Sequence, residues 1–588
     1  MHPPRKKWPE HSRAQGTLIF AQLMREMLFD FSWDCFKVPA LDTVHRLLEA
    51  QYIASEIQTK ELNHKIIEPI KDEILWSLKN DYTAQIIFGN LFNSIVDQLS
   101  KCQSLIDLIG VINYSYDRLS LRYKKTCEDL LINLTENTEQ NLKLHSVAKS
   151  YCSYLLNSGY SREYVKDCVL KTFFEKDFER ISKATIQKFF RYFSEKDKIY
   201  SIYFKIDKRG TTSFDKFPKA FLFERNPDVS KHDISAHSSF FQTESEDVIL
   251  KLEGFTSKDP YSARDESRKF LDIVQSAHLL ISSNVRLRPN NRTYVIQQGK
   301  TRGELVRHAI APLSRRRAVK KKEEKRNLEV LFSKIFAKNI DQDSTNILIG
   351  SLITSASAQL SRSHVHQLIS LWSALEQLLP EPKKAPRITH YVDLLAPCIA
   401  ANYVKNNYWA IYDSLRLHYR QHLPRALKGV ASGKNEFERF VKAICLEEND
   451  DARKRLLSIC SNNPSGRYRL FLLHRNFSRP KNILESLSDH ESRVRWQLHR
   501  IYRARSFFVH AGALFRNMET ILTNLHDYFV LTFDEILNYA DRSDVSIDIN
   551  KATTGVCIEY TSYKNFLESL SKDAALTEDT WYEATLRH

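Results

Sequence analysis

Apolar side chains recur at three- and four-residue steps over most of the first 195 positions, and this spacing predicts a run of helices. The pattern covers 18–28, 43–57, 82–99 and 116–134. Near residue 157 a helical pattern ends before Gly159, and Ser161 is placed to cap the helix that follows. We therefore predict an N-terminal helical region over 1–195.

The period then changes from that of a helix to that of a strand. Ile202, Phe204 and Ile206 alternate with Tyr203 and Lys205, as in a half-buried strand. Two further strands are predicted at 248–252 and 294–296, with a helix from about 262 to 279 between them. These predict a small α+β element over 196–312, and its residues indicate no particular function.

A basic run rich in arginine and lysine follows, and we assign 313–326 to a basic linker. The run either binds phosphate or is a solvated connection, and short charge runs are usually solvated.

Helical periodicity resumes beyond the linker. Leu368, Trp372, Leu375 and Leu379 share one helical face, and Pro380 ends that helix. A second strong pattern runs over 514–529. Long helices of this kind predict an antiparallel bundle over 327–545, with a tail over 546–588. The fold class is thus mainly α and multi-domain.

The charge balance indicates a polyanionic partner. The chain has 87 Lys and Arg against 71 Asp and Glu, a formal net charge of +16. Such an excess attracts nucleic acid or an anionic membrane surface. A large intracellular protein can also carry this charge without binding either.

The cysteine pattern and the hydropathy of the chain predict where in the cell the protein is found. The nine cysteines are scattered and contain no CxxC pair, so neither a zinc ribbon nor a disulfide framework is predicted. The basic start has no signal-type apolar core behind it, and the apolar runs are too short and too charged to cross a bilayer. We expect a soluble, cytoplasmic protein with no membrane partner.

Arg505 and His510, near the end of the chain, have the side-chain types that metal-independent RNA cleavage would need. In that reaction the ribose 2′-hydroxyl attacks the adjacent phosphorus, so one group must remove a proton and another must protonate the leaving oxygen. Imidazole titrates near neutrality and suits proton transfer. Guanidinium stays charged and pairs with phosphate through two parallel N–H groups.

The spacing of the pair leaves the choice of arginine open. Residues five apart on a straight helix lie about 140° from each other, so Arg505 and His510 converge only if the helix bends. Arg503 lies seven residues before His510 and shares its face. Both arginines therefore stay candidates, and a bare R-x4-H pattern is common by chance.

The context of the pair resembles the Apea-like branch of the HEPN ribonucleases. The stretch over 498–512 reads LHRIYRARSFFVHAG, with the R-x4–6-H signature, Tyr502 before the arginine and Gly512 after the histidine. Upstream, residues 371–379 read LWSALEQLL, which is similar to that branch's LWxALExLL helix. The resemblance covers roughly 325–540, and the N-terminal half has none.

The resemblance implies an α-helical bundle that dimerises so that two R-x4–6-H motifs face each other. It also implies a metal-independent endoribonuclease that leaves a 2′,3′-cyclic phosphate, often in toxin or abortive-infection antiphage systems. Arg505 and His510 are then the catalytic pair, and two facing chains supply both a base and an acid. Many members have Asn, Asp or His after the arginine, whereas this chain has Ser506, whose hydroxyl can still bind phosphate.

Further candidates follow from position. Tyr502, Arg503 and Ser506 are predicted to bind RNA, and Glu376 to orient Arg505; each can equally be a packing or solvated residue. His364 and His366 are too few for a metal site, which needs three or four ligands. No P-loop or GxGxxG motif occurs, so no cofactor and no metal are expected.

Three functions are thus compatible with the sequence. The leading one is an RNA-cleaving homodimer or higher homo-oligomer, with a phage-derived trigger as a candidate partner. The alternative is a catalytically inactive HEPN-type module that binds RNA or protein. The third is a helical scaffold whose basic surface merely tolerates nucleic acid.

Overall fold

A computed structural model describes most of the chain. The described ranges are 14–29, 37–58, 67–137, 140–175, 181–207, 223–230, 232–243, 247–281, 289–307, 313, 321–361, 363–381, 387–431, 433–511, 518–570 and 574–586. Most of these residues are helical, with a small antiparallel sheet, so the predicted mainly α, multi-domain fold class is confirmed.

Along the chain, a first group of helices is followed by a mixed region of strands and helices and then by a second group of helices. The first helices are α1 (Gln15–Met27), α2 (Thr43–Gln58), α3 (Ile67–Asn80), α4 (Tyr82–Phe88), α5 (Phe92–Lys101), α6 (Leu105–Ser120), α7 (Tyr123–Glu136), α8 (Asn141–Asn157), α9 (Arg162–Phe173) and α10 (Lys183–Phe190). The mixed region holds β1 (Lys198–Asp207), β2 (Phe223–Arg225), α11 (Ser238–Phe241), β3 (Asp247–Ser257), α12 (Pro260–Ile281), β4 (Pro289–Gln297) and β5 (Glu304–Arg307). The remaining helices are α13 (Lys321–Ile335), α14 (Gln342–Leu360), α15 (His364–Gln377), α16 (Arg387–Ala400), α17 (Tyr403–His418), α18 (Leu423–Ala426), α19 (Glu436–Cys445), α20 (Asp450–Ile459), α21 (Pro464–Phe477), α22 (Pro480–Ala511), α23 (Met518–Arg542), α24 (Ile549–Ser569) and α25 (Trp581–Thr585).

The chain divides into two compact units. One combines residues 1–150 with 311–588, and the other comprises 151–310. This division differs from the predicted segments, because the first seven helices belong with the C-terminal helices rather than to a separate N-terminal region.

Helix α1 explains why the N-terminal helices join the larger unit. Every residue from Gly16 to Met27 except Arg25 is buried, so this helix has no solvent face and needs neighbours all round. It packs against α7 and α21. The Gln22 amide donates to the side-chain oxygen of Asn463 at 2.9 Å, and its carbonyl oxygen accepts the N–H of Ser465 at 2.9 Å.

Gly16 sets the distance between α1 and α7, and it yields a first stability prediction. A Cβ at this position would lie 2.2 Å from the carbonyl oxygen of Thr135, and a backbone atom cannot swing aside. We expect Gly16→Ala to lower the free energy of unfolding by about 1–3 kcal/mol in urea denaturation. The control is Gly110→Ala on α6, where no atom lies within 4 Å of the new Cβ. It should be neutral or stabilising by up to about 1 kcal/mol, and equal effects of the two changes would contradict the argument.

The C-terminal helices form two apolar cores. One core joins α13 to α16 with the second half of α22, α23 and the start of α24. The other joins α17 to α21 with the first residues of α22, the second half of α24 and α25. Helix α24 packs on α16, α22 and α23, so the bundle extends past the predicted boundary at 545 and takes in the predicted tail.

The smaller unit contains the predicted α+β element. Its five-stranded antiparallel sheet has the order β2-β3-β1-β4-β5. The alternation predicted in β1 is confirmed: Ile202, Phe204 and Ile206 face a core that includes α12, whereas Tyr203 lies in the core on the opposite face. Strands β2 and β5 are too short to show a period and were not predicted.

The helix end predicted before Gly159 and the helix cap predicted at Ser161 are confirmed. Gly159 has a φ of +99°, and the Ser161 hydroxyl accepts the N–H of Tyr164 at the start of α9. Two predicted long helices are each divided, at Gly89 with a φ of +52° and between Ser120 and Tyr123.

The basic linker is described only in part. Leu313 is buried, residues 314–320 lie outside the described residues, and α13 begins at Lys321 inside the predicted linker. Among the helices of the described ranges, none combines the length and apolarity needed to cross a bilayer.

Candidate functional site

The R-x4-H segment lies on the last turns of α22, a helix of 32 residues that runs unbroken through both positions. Because the helix does not break between them, Arg505 and His510 leave its axis about 140° apart. The two positions of one chain therefore lie on different sides of α22. The bend that would bring them together within a single chain is not present.

The two stretches that carry the family resemblance lie against each other. The rings of Trp372 on α15 and Tyr502 on α22 are 5.6 Å apart between centroids in a T-shaped contact. Trp372 is fully buried in the first C-terminal core, and Tyr502 packs against that core while partly exposed. Tyr502, predicted to bind RNA, thus has a packing role, with one part of its ring still open to solvent.

Arg505 and Ser506 lie on the partly exposed side of α22. Within the described part of the chain, Arg505 makes no ion pair, in contrast to Arg500 and Arg503. The side chain of His510 lies outside the described residues; its backbone is helical and shares the face of α22 that carries Arg503 and Phe507. Phe507 is buried against Tyr52 of α2, with ring centroids 5.5 Å apart.

Arg503 belongs to a buried ion network that joins α22 to α2 and α3. Its guanidinium donates to Glu49 at 3.2 Å, and the residue is only 3% exposed. Arg500 donates to Glu49 at 2.8 Å and to Glu73 at 2.6 Å. Arg46 donates to Glu73 at 2.8 Å, which closes the network on the α2 side.

Charge pairing keeps these carboxylates ionised. Burial alone raises the pKa of Glu49, but Arg500 and Arg503 outweigh it and lower that pKa to about 2. Burial acts on Glu73 in the same direction, and Arg500 and Arg46 lower its pKa below the ordinary value. Glu49 and Glu73 therefore both remain negatively charged opposite three guanidinium groups.

This network changes the interpretation of Arg503. A straight helix favours it over Arg505 as the partner of His510, yet its guanidinium is used inside the protein and faces no open surface. Arg503 thus anchors α22 to α2, and Arg505 is the arginine of the motif that remains accessible.

Glu376, predicted to orient Arg505, lies at the end of α15 and interacts electrostatically with a different arginine, Arg387. The hydrogen bond with Tyr391 raises the pKa of Arg387, and the charge of Glu376 adds to that rise. No hydrogen bond or ion pair joins Glu376 to Arg505 among the residues that the structure describes.

Neighbouring histidines of the helix are not suited to proton transfer at neutral pH. Burial, Arg503 and Arg495 lower the pKa of His499 to about 4. Burial and Arg493 hold the pKa of His490 well below its ordinary range. Within the described ranges, no group of three or more His, Cys, Asp or Glu residues is arranged to hold a metal ion.

Comparison with protein-family models, curated proteins and solved structures finds no match to this chain. The functional interpretation therefore depends on the chain's own residues and their arrangement.

Glu49 and Glu73 were not found from the sequence, although one signal was present. Glu73 falls on the apolar face of α3, between Ile70 and Ile74. A carboxylate in such a stripe is rarely buried without a cationic partner, so Glu73 pointed to a buried arginine elsewhere. Which arginine it pairs with, more than 400 positions away, could not be read from the spacing.

Proposed function

We propose that this chain is a HEPN-type endoribonuclease that cleaves RNA by attack of the 2′-hydroxyl, with Arg505 and His510 as its catalytic residues. Arg505 offsets the charge on the five-coordinate phosphorus, and His510 transfers protons. Ser506 and the exposed part of Tyr502 contribute to RNA binding beside them. The contact between Trp372 and Tyr502 carries this proposal, because it unites the two motif stretches in one core.

The helix geometry favours a site made by two copies of the chain. Side chains about 140° apart on one helix cannot both contact the same phosphate easily. A second copy that faces α22 brings its own arginine and histidine to the opposite side of the substrate. Two histidines can then act as base and acid in the same step.

An exposed apolar surface on α13 and α14 is a candidate contact between copies of the chain. Helix α14 buries small polar residues against α15 and exposes Ile347, Ile353 and Leu360, the last of them at 85%. The adjacent α13 exposes Leu328, Phe332 and Phe336. Apolar side chains grouped in this way mark protein–protein contact sites more often than isolated ones do.

The rest of the chain fits an RNA-directed effector of bacterial defence. A net charge of +16 attracts RNA from a distance, before the site is reached. Helices α2 and α3 contact α22 directly. A trigger that binds the N-terminal helices can therefore act on the site through them, and in the antiphage interpretation this trigger is phage-derived. We place this activity in the cytoplasm, where RNA targets are found.

Arg505→Ala is expected to lower the cleavage rate by about 100- to 1,000-fold, the usual cost of removing one group that stabilises developing charge. Arg505→Lys should fall between this variant and the unchanged protein, because lysine keeps the charge but not the two-pronged phosphate contact. The measurement is cleavage of total RNA in EDTA, with 2′,3′-cyclic phosphate ends scored on the products.

Lys481→Ala is the matched control. Lys481 is exposed on the same helix, and 24 residues separate it from Arg505, about 36 Å along the axis. Its loss removes the same charge from α22 without touching the site. Equal rates for Arg505→Ala and Lys481→Ala would refute the assignment of Arg505. Binding of RNA without cleavage, together with no toxicity on expression, would favour the inactive binding module.

A further inference from the structure

Two cysteines that are 159 positions apart in the chain meet between α16 and α24. A side-chain hydrogen bond between Cys398 and Cys557 raises the pKa of the Cys398 thiol and lowers that of Cys557. The thiol of Cys557 in turn lies 3.6 Å from the carbonyl oxygen of Leu394, one helical turn before Cys398. Cys557 is therefore held against the turn of α16 that ends at Cys398.

The two thiols differ in access and in surroundings. Cys398 is buried at 1% exposure, whereas Cys557 is partly exposed and can be reached from solvent. The hydrogen bond from Cys398 and the charge of Arg495 lower the pKa of Cys557, against burial and Asp393, which raise it. Arg495 is fixed near this point by ion pairs with Asp393 at 2.7 Å and with Glu491 at 2.9 Å.

Three buried cysteines elsewhere in the described ranges have the opposite character. Burial raises the pKa of Cys152, Cys168 and Cys460 to about 12. Such thiols are protonated at neutral pH and react slowly with oxidants, because the thiolate is the reactive form. Cys557 differs from these three in being partly exposed and in lying beside a second thiol.

We propose that Cys398 and Cys557 form a reversible disulfide when the protein meets hydrogen peroxide. In the first step the sulfur of Cys557 attacks one peroxide oxygen, the O–O bond breaks, and a sulfenic acid and one water form. In the second step the sulfur of Cys398 attacks that of Cys557, the S–O bond breaks, and a second water leaves with the thiol proton. Two thiols are oxidised, and one peroxide is reduced to two waters.

This disulfide would tie α16 to α24, and both helices pack on α22. A covalent link that closes a long loop stabilises the folded chain, mainly by restricting the unfolded one. Oxidation would therefore hold together the helices that support the R-x4-H segment. A thiol reductant would reverse it.

The test uses the unmodified, folded chain treated with hydrogen peroxide and then with an alkylating agent, followed by digestion and mass spectrometry. We expect one cross-linked peptide pair that contains Cys398 and Cys557, two hydrogen atoms lighter than the sum of its parts. It should disappear on reduction. The oxidised protein should also unfold at a higher temperature than the reduced protein.

Variants identify the order of events. Cys398→Ser should leave a sulfenic acid on Cys557 that dimedone traps, whereas Cys557→Ser should leave Cys398 unoxidised. Cys152→Ser, a buried cysteine elsewhere, should leave the cross-link unchanged. The proposal is overturned if the folded protein gives both cysteines alkylated and unlinked, if the link joins two different chains, or if it forms only after denaturation in urea.

Discussion

Replacing His510 by alanine is expected to lower the rate of RNA cleavage by about 100- to 10,000-fold, the contribution of general acid–base catalysis. The loss should appear in kcat rather than in RNA affinity, because an imidazole that transfers a proton contributes to the transition state and little to binding. RNA binding by filter retention and single-turnover cleavage in EDTA would separate the two. Expression of the variant should also be tolerated by cells in which the unchanged chain is toxic.

His499→Gln is the control for that change. His499 lies on the same helix, and its pKa of about 4 keeps it neutral at the pH of the assay, so it cannot alternate between acid and base there. Its variant should cleave at the rate of the unchanged protein once the folded fraction is matched by circular dichroism. If His510→Ala cleaves as fast as His499→Gln, His510 is not the proton-transfer group, and the proposed site is wrong.

A mixture of two inactive variants tests the two-chain geometry. Chains carrying Arg505→Ala and chains carrying His510→Ala are each expected to be inactive, and mixed dimers of the two retain one arginine and one histidine on different chains. Activity in the mixture would mean that one pair drawn from two chains suffices. Inactivity of the mixture, with both parents inactive, would mean that the site needs two arginines or two histidines, the latter as the base-and-acid argument requires.

Periodicity predicted the fold well where a helix or strand has two different faces. Strand β1 and helix α15 are examples: β1 turns alternate residues toward two different cores, and α15 has a buried side and a more open side. Periodicity could not place α1, which is buried all round and so has no face whose direction could be read. The association of 1–150 with the C-terminal helices depends on contacts of α1 and on charged residues such as Glu49. The sequence around each of these gives no indication of its distant partner.

For the candidate site, the sequence identified two candidate arginines but could not decide between them. Straight-helix spacing slightly favoured Arg503 and the family pattern favoured Arg505, so both stayed candidates. The proposal for Arg505 is supported by a carboxylate on α2: Glu49 pairs with Arg503 in the interior, whereas Arg505 is partly exposed. Pairings between positions 450 residues apart depend on the tertiary fold and leave no local signature.

Loss of Glu49 should be the most damaging change to stability. Its carboxylate contacts both Arg500 and Arg503, which are each 3% exposed, so Glu49→Ala leaves buried guanidinium charge without sufficient compensation. Breaking a buried ion pair from one side costs about 3–5 kcal/mol. We expect a loss of that size in urea denaturation. Asp129→Ala, which breaks the exposed pair of α7 between Asp129 and Lys125 at 2.9 Å, should cost less than about 1 kcal/mol.

The pH dependence of the same variant separates charge from packing. The pKa of Glu49 in the folded chain is about 2, below its ordinary value of 4.5, so the unfolded chain binds more protons between these values. Its stabilising effect is therefore complete above about pH 4.5 and is lost as the pH falls through about 2. The difference in unfolding free energy between the unchanged protein and Glu49→Gln should shrink across this window. A difference that stays constant down to pH 2 would mean that Glu49 acts by packing alone, and that the anchor of the R-x4-H helix is not electrostatic.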